Sequence, residues 1–369
     1  MSGKLIDKLL KKQWADDDVA RYVGNYLEVY LAHATSFATR NRAASGGVTS
    51  ALLIQGLQSG LIDGAVVCKT ILVDGKVRAS FEIATTPEQV LAARGSKYVE
   101  TRFLHEVLPL IHAFAGRVAV VGLPCDISAL RHRCTREPEL ASKVRVTIAL
   151  VCGHNSRTAL IDGVTKRLER EADSPIKDYR FRVGHWRGHL EAEFEDGSVI
   201  STPTKVYNDY QNLFFFCEKK CMACYDHYGY SADISIGDVW LFRLRDDHIK
   251  HSGVIVRTEV GSLFYRSALE AGAIEHQSLD IREIMDGQAR IGPAHYNVTA
   301  RVYAGRLFGL KLKDTVGERV TWHAYLNAVI SIANMRLSEK PWGQKLIFFI
   351  PRPLLKLFLY VKKGLESIK

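Results

Sequence analysis

Three cysteines within eight residues constrain this chain more than any other feature. They lie in the stretch Cys217-Glu-Lys-Lys-Cys221-Met-Ala-Cys224, where Cys221 and Cys224 form a C-x-x-C turn. This spacing lets two thiolates bind one metal atom, or two corners of a cluster, without straining the backbone. Because the sequence has no second C-x-x-C, the other ligands must come from distant segments.

Two single cysteines are well placed to complete the ligand set. Cys125 follows the apolar residues 116–122, and Cys152 follows the apolar residues 144–151, and both runs are typical of buried parallel strands. A helix is predicted from Asp126 onward, so Cys125 should lie near a helix N-terminus, where the pKa of a thiol is expected to fall. We therefore expect sulfurs from two strand ends to meet the C-x-x-C turn.

Four cysteines without a dedicated histidine suit either zinc or an iron–sulfur cluster. Structural zinc usually takes its ligands from two tight knuckles, whereas here two ligands come singly from strand ends, which favours a 4Fe-4S cluster. The predicted ligands are Cys125, Cys152, Cys221 and Cys224, with Cys217 as a spare or an alternative. His154 could donate a proton nearby, or it could be a hydrogen-bonded structural histidine.

A glycine-rich turn near residue 45 suggests a phosphate site. Ser45 is predicted to cap a helix whose buried face includes Leu52, and the two glycines after it let the backbone approach a ligand. Free N–H groups and the positive end of the helix dipole suit a phosphate, although ordinary capping explains the same pattern. A second polar glycine turn follows at residues 95–98. The candidate residues are Arg42, Ser45, Gly46, Gly47, Val48, Thr49, Gly95, Ser96, Lys97 and Tyr98.

Composition and charge narrow the functional class. The 369 residues are 47% hydrophobic and 24% charged, which is typical of a globular protein with a large core. Seven clustered cysteines indicate ligand chemistry in a reducing cytoplasm rather than secreted disulfides. No export signal and no run of 18 apolar residues are recognised. The net charge of +10 suits nucleic acid, anionic lipid or an acidic partner protein. Because the basic residues are scattered, nucleic acid is not expected.

The pattern of segments predicts an α/β fold of mixed type. We expect a parallel or mixed sheet core with flanking helices, an antiparallel β section, a cysteine-rich cluster loop and a helical C-terminal extension. The predicted regions are a helical extension at residues 1–30, a flavin-binding region at 31–115, a cluster-binding domain at 116–293 and a helical extension at 294–369. Residues 342–363 mix bulky apolar and basic side chains, so they could lie in a membrane interface or dock on a protein.

Taken together, six motifs occur in the order seen in one family. They are Ser45-Gly-Gly-Val-Thr, Gly60-Leu-Ile-Asp-Gly64, Gly95-Ser-Lys-Tyr98, Val121-Gly-Leu-Pro-Cys125, Cys221-x-x-Cys224 and Ala232-Asp-Ile-Ser-Ile-Gly-Asp238. The chain thereby resembles the coenzyme F-420 (deazaflavin) hydrogenase/dehydrogenase beta subunits, over roughly residues 30 to 275. Plant hydroxymethyl-chlorophyll reductase and bacterial polysaccharide-cluster proteins are similar to the same family.

The resemblance implies a cytoplasmic oxidoreductase, peripheral to the inner face of the membrane if the C-terminal segment binds lipid. It implies FAD, or another flavin, held by residues 45–49 and 95–98 beside one 4Fe-4S cluster. Such a pair converts two-electron into one-electron transfer, so the chain is expected to reduce or oxidise an organic substrate or a deazaflavin. The alternatives are an electron-input subunit without its own substrate and a zinc-stabilised, membrane-associated binding protein. The implied partners are a ferredoxin-like or deazaflavin electron carrier and a small organic substrate. Many members begin with a cysteine-rich ferredoxin-like segment, but no cysteine precedes Cys68 here, so an external carrier is expected.

Overall fold

The computed structural model describes residues 14–289 and 291–367, except for the side chains of residues 293, 294 and 367. The helical extension predicted at residues 1–30 is therefore described only from Trp14 onward. There it contains α1 (Asp16–Tyr22), which opens with three aspartates at the positive end of its dipole. The start of that extension, residues 1–13, lies outside the described residues.

An eight-stranded mixed sheet forms the centre of the chain, with strand order β11-β1-β10-β9-β5-β4-β2-β3. The pairs β2–β4, β4–β5 and β5–β9 are parallel, and the outer pairs are antiparallel. The strands are β1 (Glu28–Ala34), β2 (Gly64–Val73), β3 (Lys76–Ala84), β4 (Val118–Gly122), β5 (Val144–Leu150), β9 (Ile234–Asp238), β10 (Ser252–Val256) and β11 (Ile274–Ser278). The sheet draws strands from both sides of residue 115.

Apolar sequence explains why β4 and β5 lie at the middle of this sheet. Val118, Val120 and Ile148 are completely buried, as expected for parallel strands covered on both faces. The strands β2 and β3 are joined by Asp74 and Gly75, both with positive φ, which matches the hairpin turn that the sequence predicts.

A smaller antiparallel sheet carries the predicted antiparallel section, in the order β6 (Ile176–Val183), β7 (His189–Phe194) and β8 (Val199–Pro203). Its inner face presents Tyr179, Phe181 and Phe194 to a core cluster that also contains Ile347 and Leu355 from the C-terminal helices. The C-terminal extension is thus packed on the body of the protein.

Helices cover both faces of the main sheet. They are α2 (Phe37–Asn41), α3 (Val48–Gln58), α4 (Pro87–Ala92), α5 (Phe103–Ala113), α6 (Pro124–Cys134), α7 (Pro138–Lys143), α8 (Thr158–Ala172), α9 (Lys205–Asn212), α10 (Glu259–Glu270) and α11 (Ile281–Gly287). One prediction is corrected in detail: α6 begins at Pro124 rather than Asp126 because proline is favoured in a first helical turn. Cys125 therefore belongs to the helix.

The C-terminal extension is helical, with α12 (Val298–Leu307), α13 (Trp322–Leu337), α14 (Pro341–Phe349) and α15 (Arg352–Ser367). Among the described residues, no helix combines the length and the apolar character needed to cross a bilayer. The α/β fold with a mixed sheet, an antiparallel section and a helical C-terminal region is confirmed.

Candidate functional site

The carboxyl ends of β4 and β5 present two cysteines at the same sheet edge. The strands are parallel neighbours, with Gly122 opposite Ala149 at their ends. Cys125 lies in the first turn of α6, directly after β4, and Cys152 follows the end of β5. Loops at the carboxyl edge of a parallel sheet are the usual place for ligands, so the two single cysteines adjoin as expected.

The C-x-x-C segment is held against the loop that follows Cys152. It forms a 3₁₀ turn, Lys219–Ala223, in which the amide of Cys224 donates to the carbonyl of Cys221 at 3.3 Å. The amide of Asn155 donates to Cys221 Sγ at 3.5 Å, and the amide of Glu218 donates to the Asn155 carbonyl at 3.2 Å. Two segments distant in sequence are therefore joined by direct hydrogen bonds, one of which ends on the Cys221 sulfur.

Cys125, Cys152, Cys221 and Cys224 line one cavity, here called the cysteine cavity, with about 380 Å³ of empty space. The other lining residues are Leu123, Pro124, His154, Asn155, Lys220, Asp226 and His295. The structure thus brings all four predicted ligands to one place. Their role as ligands remains a prediction.

Burial is the main cause of the raised pKa values of Cys125, Cys152 and Cys224 in this cavity. Burial, followed by the neighbouring Asp126, raises the pKa of Cys125, and burial with the surrounding cysteines raises the pKa of Cys152. Burial likewise raises the pKa of Cys224 to about 12. The expected lowering at the α6 N-terminus does not occur, because desolvation of the thiolate outweighs the helix dipole.

The side chains around the cysteine cavity determine which metal group it could hold. Within residues 14–289 and 291–367, no three His, Cys, Asp or Glu side chains form a recognisable single-ion site. Four buried thiols around one cavity, with an amide directed at Cys221 Sγ, match the thiolate ligation and sulfur hydrogen bonding of iron–sulfur clusters. The residues therefore fit such a group.

The remaining cysteines lie elsewhere. Cys217 is buried in a cluster with α12 and α13 and does not line the cysteine cavity, although it contacts Cys221. Its backbone bridges to Ser156. Cys134 ends α6, and Cys68 lies in β2, where burial raises its pKa to about 11. Cys217 therefore lies behind the four cavity cysteines, and Cys134 lies at the opposite end of α6 from Cys125.

Three histidines surround the cysteine cavity. His154 Nε2–H donates to the Gln211 carbonyl at 2.9 Å and the ring stacks on Phe214, and burial lowers its pKa to about 4. His227 Nδ1–H donates to the Cys152 carbonyl at 2.7 Å. His295 lines the cavity and is almost fully buried. The two roles predicted for His154 remain predictions.

Sequence reasoning missed His227, His295 and Lys220. Lys220 stands inside the cysteine motif, and His227 lies three residues beyond Cys224, so proximity to the motif was a usable signal for both. His295 lies more than 50 residues after the last recognised motif, which ends at Asp238, and only tertiary packing brings it to the cavity. Its sequence neighbourhood carries no corresponding signal.

The glycine turn before α3 is built differently from the prediction. Gly47, with φ of 77°, is the N-cap of α3, whereas Ser45 forms a 2.8 Å hydrogen bond with the Ser252 hydroxyl. A Cβ on Gly46 would lie 2.7 Å from the Ala32 carbonyl oxygen. Glycine is therefore required here by close contact with β1 and β10, and the capping role predicted for Ser45 is wrong.

Val48, Thr49 and Arg42 differ in how they could contact a ligand. The side chain of Val48 is fully buried in the main core, so only its backbone could reach a ligand. The first N–H groups of α3, including that of Thr49, have no partner within the helix. Arg42 follows α2, and its carbonyl is close to Gly95 of the second glycine turn. The two predicted turns therefore adjoin.

A second cavity opens beside Ser45, with about 310 Å³ of empty space, and is here called the Ser45 cavity. Buried Arg182 donates to both carboxylate oxygens of Asp238, at 2.6 and 2.9 Å, and lies over the Trp240 ring at 4.6 Å. Lys250 also lines this cavity and donates to the Ala43 carbonyl, and burial lowers its pKa to about 8. Cations thus predominate around it.

The second glycine turn lies between the two cavities. Gly95 has φ of 89°, and Lys97 Nζ donates to the carbonyls of Arg94 at 3.2 Å, Gly95 at 3.0 Å and Ala93. With three donors on three carbonyls, Lys97 would have to exchange a bond to bind a phosphate. Burial lowers its pKa to about 8. Ser96 is partly exposed beside it.

Two chains of contacts join the cavities. Tyr98 lies close to Arg182 at the Ser45 cavity, and the next residue, Val99, accepts from Asn155 Nδ2 at 3.0 Å at the cysteine cavity. Gln288 Nε2 donates to the Asp238 carbonyl at 2.6 Å, and Gln288 Oε1 lies 3.3 Å from His227 Nε2. The predicted phosphate corner and the cysteines are therefore parts of one connected site.

Comparisons with known proteins match this core region. The beta subunit N-terminal family of coenzyme F420 hydrogenase/dehydrogenase matches residues 29–108, and the corresponding C-terminal family matches residues 115–282. A coenzyme F420 hydrogenase subunit beta from Methanococcus voltae is 28% identical over 70% of this chain and 86% of the relative. The 7-hydroxymethyl chlorophyll a reductase of Oryza sativa is 24% identical over 58% of this chain and 44% of the relative.

A solved structure shares the fold. A chain of the F420-reducing [NiFe] hydrogenase complex from Methanosarcina barkeri superimposes with a TM-score of 0.59 at 23% identity, covering 80% of this chain and 98% of that chain. The two family matches together span more than half of the sequence and include all four cavity cysteines. The chain belongs to the coenzyme F420 hydrogenase/dehydrogenase beta subunit family, and its role is that of an oxidoreductase-related electron-transfer protein.

Proposed function

We propose that this chain is an iron–sulfur flavoprotein oxidoreductase. It couples one-electron transfer through a 4Fe-4S cluster to two-electron chemistry of FAD, acting on a small organic substrate or a deazaflavin. The observation that carries the proposal is that Cys125, Cys152, Cys221 and Cys224, from three separate segments, line one cavity. When bound, the cluster and the flavin supply the exchange between single electrons and hydride.

The residues around the cysteine cavity have distinct tasks under this proposal. The four thiols hold the cluster as thiolates, and the Asn155 amide at 3.5 Å from Cys221 Sγ stabilises negative charge on sulfur. Phe214, behind His154, and Met222 are buried, so they exclude water. His154 stacks on Phe214 and hydrogen-bonds Gln211, so it holds Phe214 in place beside the cavity. The alternative role proposed for His154 is proton donation.

The Ser45 cavity and its adjoining turns suit the flavin. The N-terminus of α3, Arg42 and Lys250 provide partial and full positive charge for the phosphates of FAD. Tyr98 and Val99 connect the Ser45 cavity to Asn155 of the cysteine cavity, which favours a short path for electrons between them. We assign flavin binding to residues 31–115 together with the residues between 182 and 251 that line the Ser45 cavity. Cluster binding is assigned to residues 116–293, in a protein that works in the reducing cytoplasm.

Iron content tests the cluster. Anaerobically purified protein should contain about four irons per chain, with a broad absorption near 400 nm that bleaches on reduction. Cys125→Ser and Cys221→Ser should lose most of the iron, whereas Cys134→Ser, at the far end of α6, should retain it. A colourless protein with one zinc, or unchanged iron in Cys125→Ser, would overturn the proposal.

A second candidate function is an electron-input subunit without a substrate of its own. It is favoured by the similarity to subunits of F420 hydrogenases and by the exposed Lys219 beside the cavity, which suits an acidic carrier such as ferredoxin. Turnover with reduced carrier and candidate organic substrates separates the two. Carrier oxidation that requires a second protein supports the subunit, and turnover by this chain alone supports the enzyme.

A further inference from the structure

The last two helices present a row of apolar side chains to solvent. Phe349, at the end of α14, is 83% exposed, Trp342 is 63% exposed, and Leu357 on α15 is 61% exposed. Leu346, Leu354 and Val361 are also exposed. These six residues are here called the C-terminal ridge. A continuous apolar surface of this kind marks an interaction site rather than ordinary surface.

The ridge lies on one side of the protein. Ile347 of α14 and Leu355 of α15 are buried in the same core cluster, beside the small antiparallel sheet. Only Ile350 and Pro351 separate the two helices. Because both inner faces pack on one core, the opposite faces of both helices point away from it together. Helical spacing places the ridge residues on those outer faces.

Positive charge surrounds the ridge. Residues 340–365 contain six basic residues and no acidic residue: Lys340, Lys345, Arg352, Lys356, Lys362 and Lys363. Lys362 is buried, and both it and Lys363 pair with Glu366, so the charge beside the ridge comes from the other four. Lys345, Arg352 and Lys356 are exposed. On α15, Arg352 and Lys356 are one turn apart and form a basic flank beside Leu357. Apolar side chains bordered by basic residues are typical of helices that lie in a membrane interface.

We propose that the C-terminal ridge binds the surface of an anionic lipid bilayer, with α14 and α15 lying in the plane of the interface. Phe349, Trp342 and Leu357 insert among the acyl chains, while Lys345, Arg352 and Lys356 contact anionic headgroups. Basic residues near such a surface are attracted to anionic headgroups. A second copy of this chain fits less well, because apposed ridges would bring the same cations together. The inference is independent of the redox proposal.

Vesicle co-sedimentation of the full chain tests the inference. Binding is expected to vesicles of phosphatidylcholine with one quarter phosphatidylglycerol, and to be about tenfold weaker or more to phosphatidylcholine alone. Phe349→Glu combined with Leu357→Glu should reduce binding by about tenfold or more. Val199→Glu combined with Leu263→Glu carries the same added charge at exposed apolar positions elsewhere and should bind as the unmodified chain.

Several results would overturn the proposal. These are no binding to anionic vesicles, equal binding to both vesicle types, or equal loss in the two double variants. Sedimentation equilibrium without lipid tests the second copy: a dimer that dissociates in Phe349→Glu with Leu357→Glu would assign the ridge to self-association. Circular dichroism of each variant shows that the helices are retained, and a variant that unfolds is replaced by Lys345→Gln with Lys356→Gln, for which weaker binding is again expected.

Discussion

At the scale of the residue, the pair Arg182–Asp238 is the strongest charged contact of the Ser45 cavity. Asp238→Asn leaves the buried guanidinium without a counter-charge, so we expect the free energy of unfolding to fall by about 3 kcal/mol. Urea denaturation measures this. Asp178→Asn is the matched control, because its partner Arg180 is partly exposed and also bonds Glu191. It should cost less than about 1 kcal/mol. Equal losses would contradict the assignment.

Lys97 provides a residue-scale prediction about pH. Burial lowers its pKa from 10.5 to about 8, so between these values the unfolded chain binds more protons than the folded one. Burying the charged Lys97 ammonium destabilises the folded state, and this destabilisation is fully present well below pH 8. It is relieved as the pH rises toward 10.5, so the free energy of unfolding should increase by about 3 kcal/mol in total. Cys68 faces Lys97 and titrates later, with a pKa of about 11.

The comparison of unfolding free energies at pH 8 and pH 10 isolates this contribution. Lys97→Met should reduce the gain in stability over that interval by about 2 kcal/mol relative to the unmodified chain, because Lys97 is already partly deprotonated at pH 8. Lys76→Met, in an exposed hairpin turn, should leave the interval unchanged. An identical pH response in Lys97→Met and the unmodified chain would show that Lys97 is not held in a desolvated position.

At the scale of the element, α15 is anchored by a buried charge pair. Lys362 is completely buried, lies 4.5 Å from the Phe214 ring and pairs with Glu366. Burial alone would raise the pKa of Glu366, but Lys363 and Lys362 lower it to about 2. The stabilisation is therefore complete above pH 4.5 and is lost as the pH falls from 4.5 toward 2.

Removing one member of this pair should release α15. Glu366→Gln leaves Lys362 buried and unpaired, so we expect a loss of about 3 kcal/mol and faster amide hydrogen exchange in α15. In the matched control, Lys362→Met with Glu366→Gln removes both charges and should recover most of the loss. Protection of α15 that is unchanged in Glu366→Gln would contradict the anchoring role.

The elements also show what the sequence can predict. Unbroken apolar runs identified β4 and β5, and Asp74-Gly75 identified the hairpin, because these signals are local. The N-terminus of α3 was misplaced because Ser45 is a favourable cap in isolation, whereas the structure uses its hydroxyl on Ser252, more than 200 residues away. The helix predicted from Asp126 begins two residues earlier, at Pro124, because proline is compatible with the first turn of a helix.

At the scale of the whole molecule, the meeting of Cys125 and Cys152 could be predicted from topology. Parallel neighbours present their carboxyl ends at one edge, so two strand-end cysteines had to adjoin. Lys97 could not be predicted to turn onto three carbonyls, and His295 could not be placed at the cavity, since both depend on packing between distant segments. The thiol pKa values were also missed, because burial is a property of the assembled fold.

Net charge gives a prediction for the whole molecule. With a charge of +10 and exposed Lys219 beside the cysteine cavity, association with an acidic carrier should be electrostatically steered. The second-order rate of electron transfer from reduced ferredoxin should fall about tenfold or more between roughly 20 mM and 500 mM NaCl. Stopped-flow absorbance under anaerobic conditions measures this rate.

Position, as well as total charge, should matter in that reaction. Lys219→Gln removes one charge near the cysteines, whereas Arg145→Gln removes one at the opposite end of β5, about 20 Å away along the strand. Because steering depends on the local potential where the carrier docks, Lys219→Gln should slow the reaction by about two- to fivefold at low salt. Arg145→Gln should change it by less than about 1.5-fold. Equal effects of the two variants would mean that the carrier does not approach over the cysteine loop.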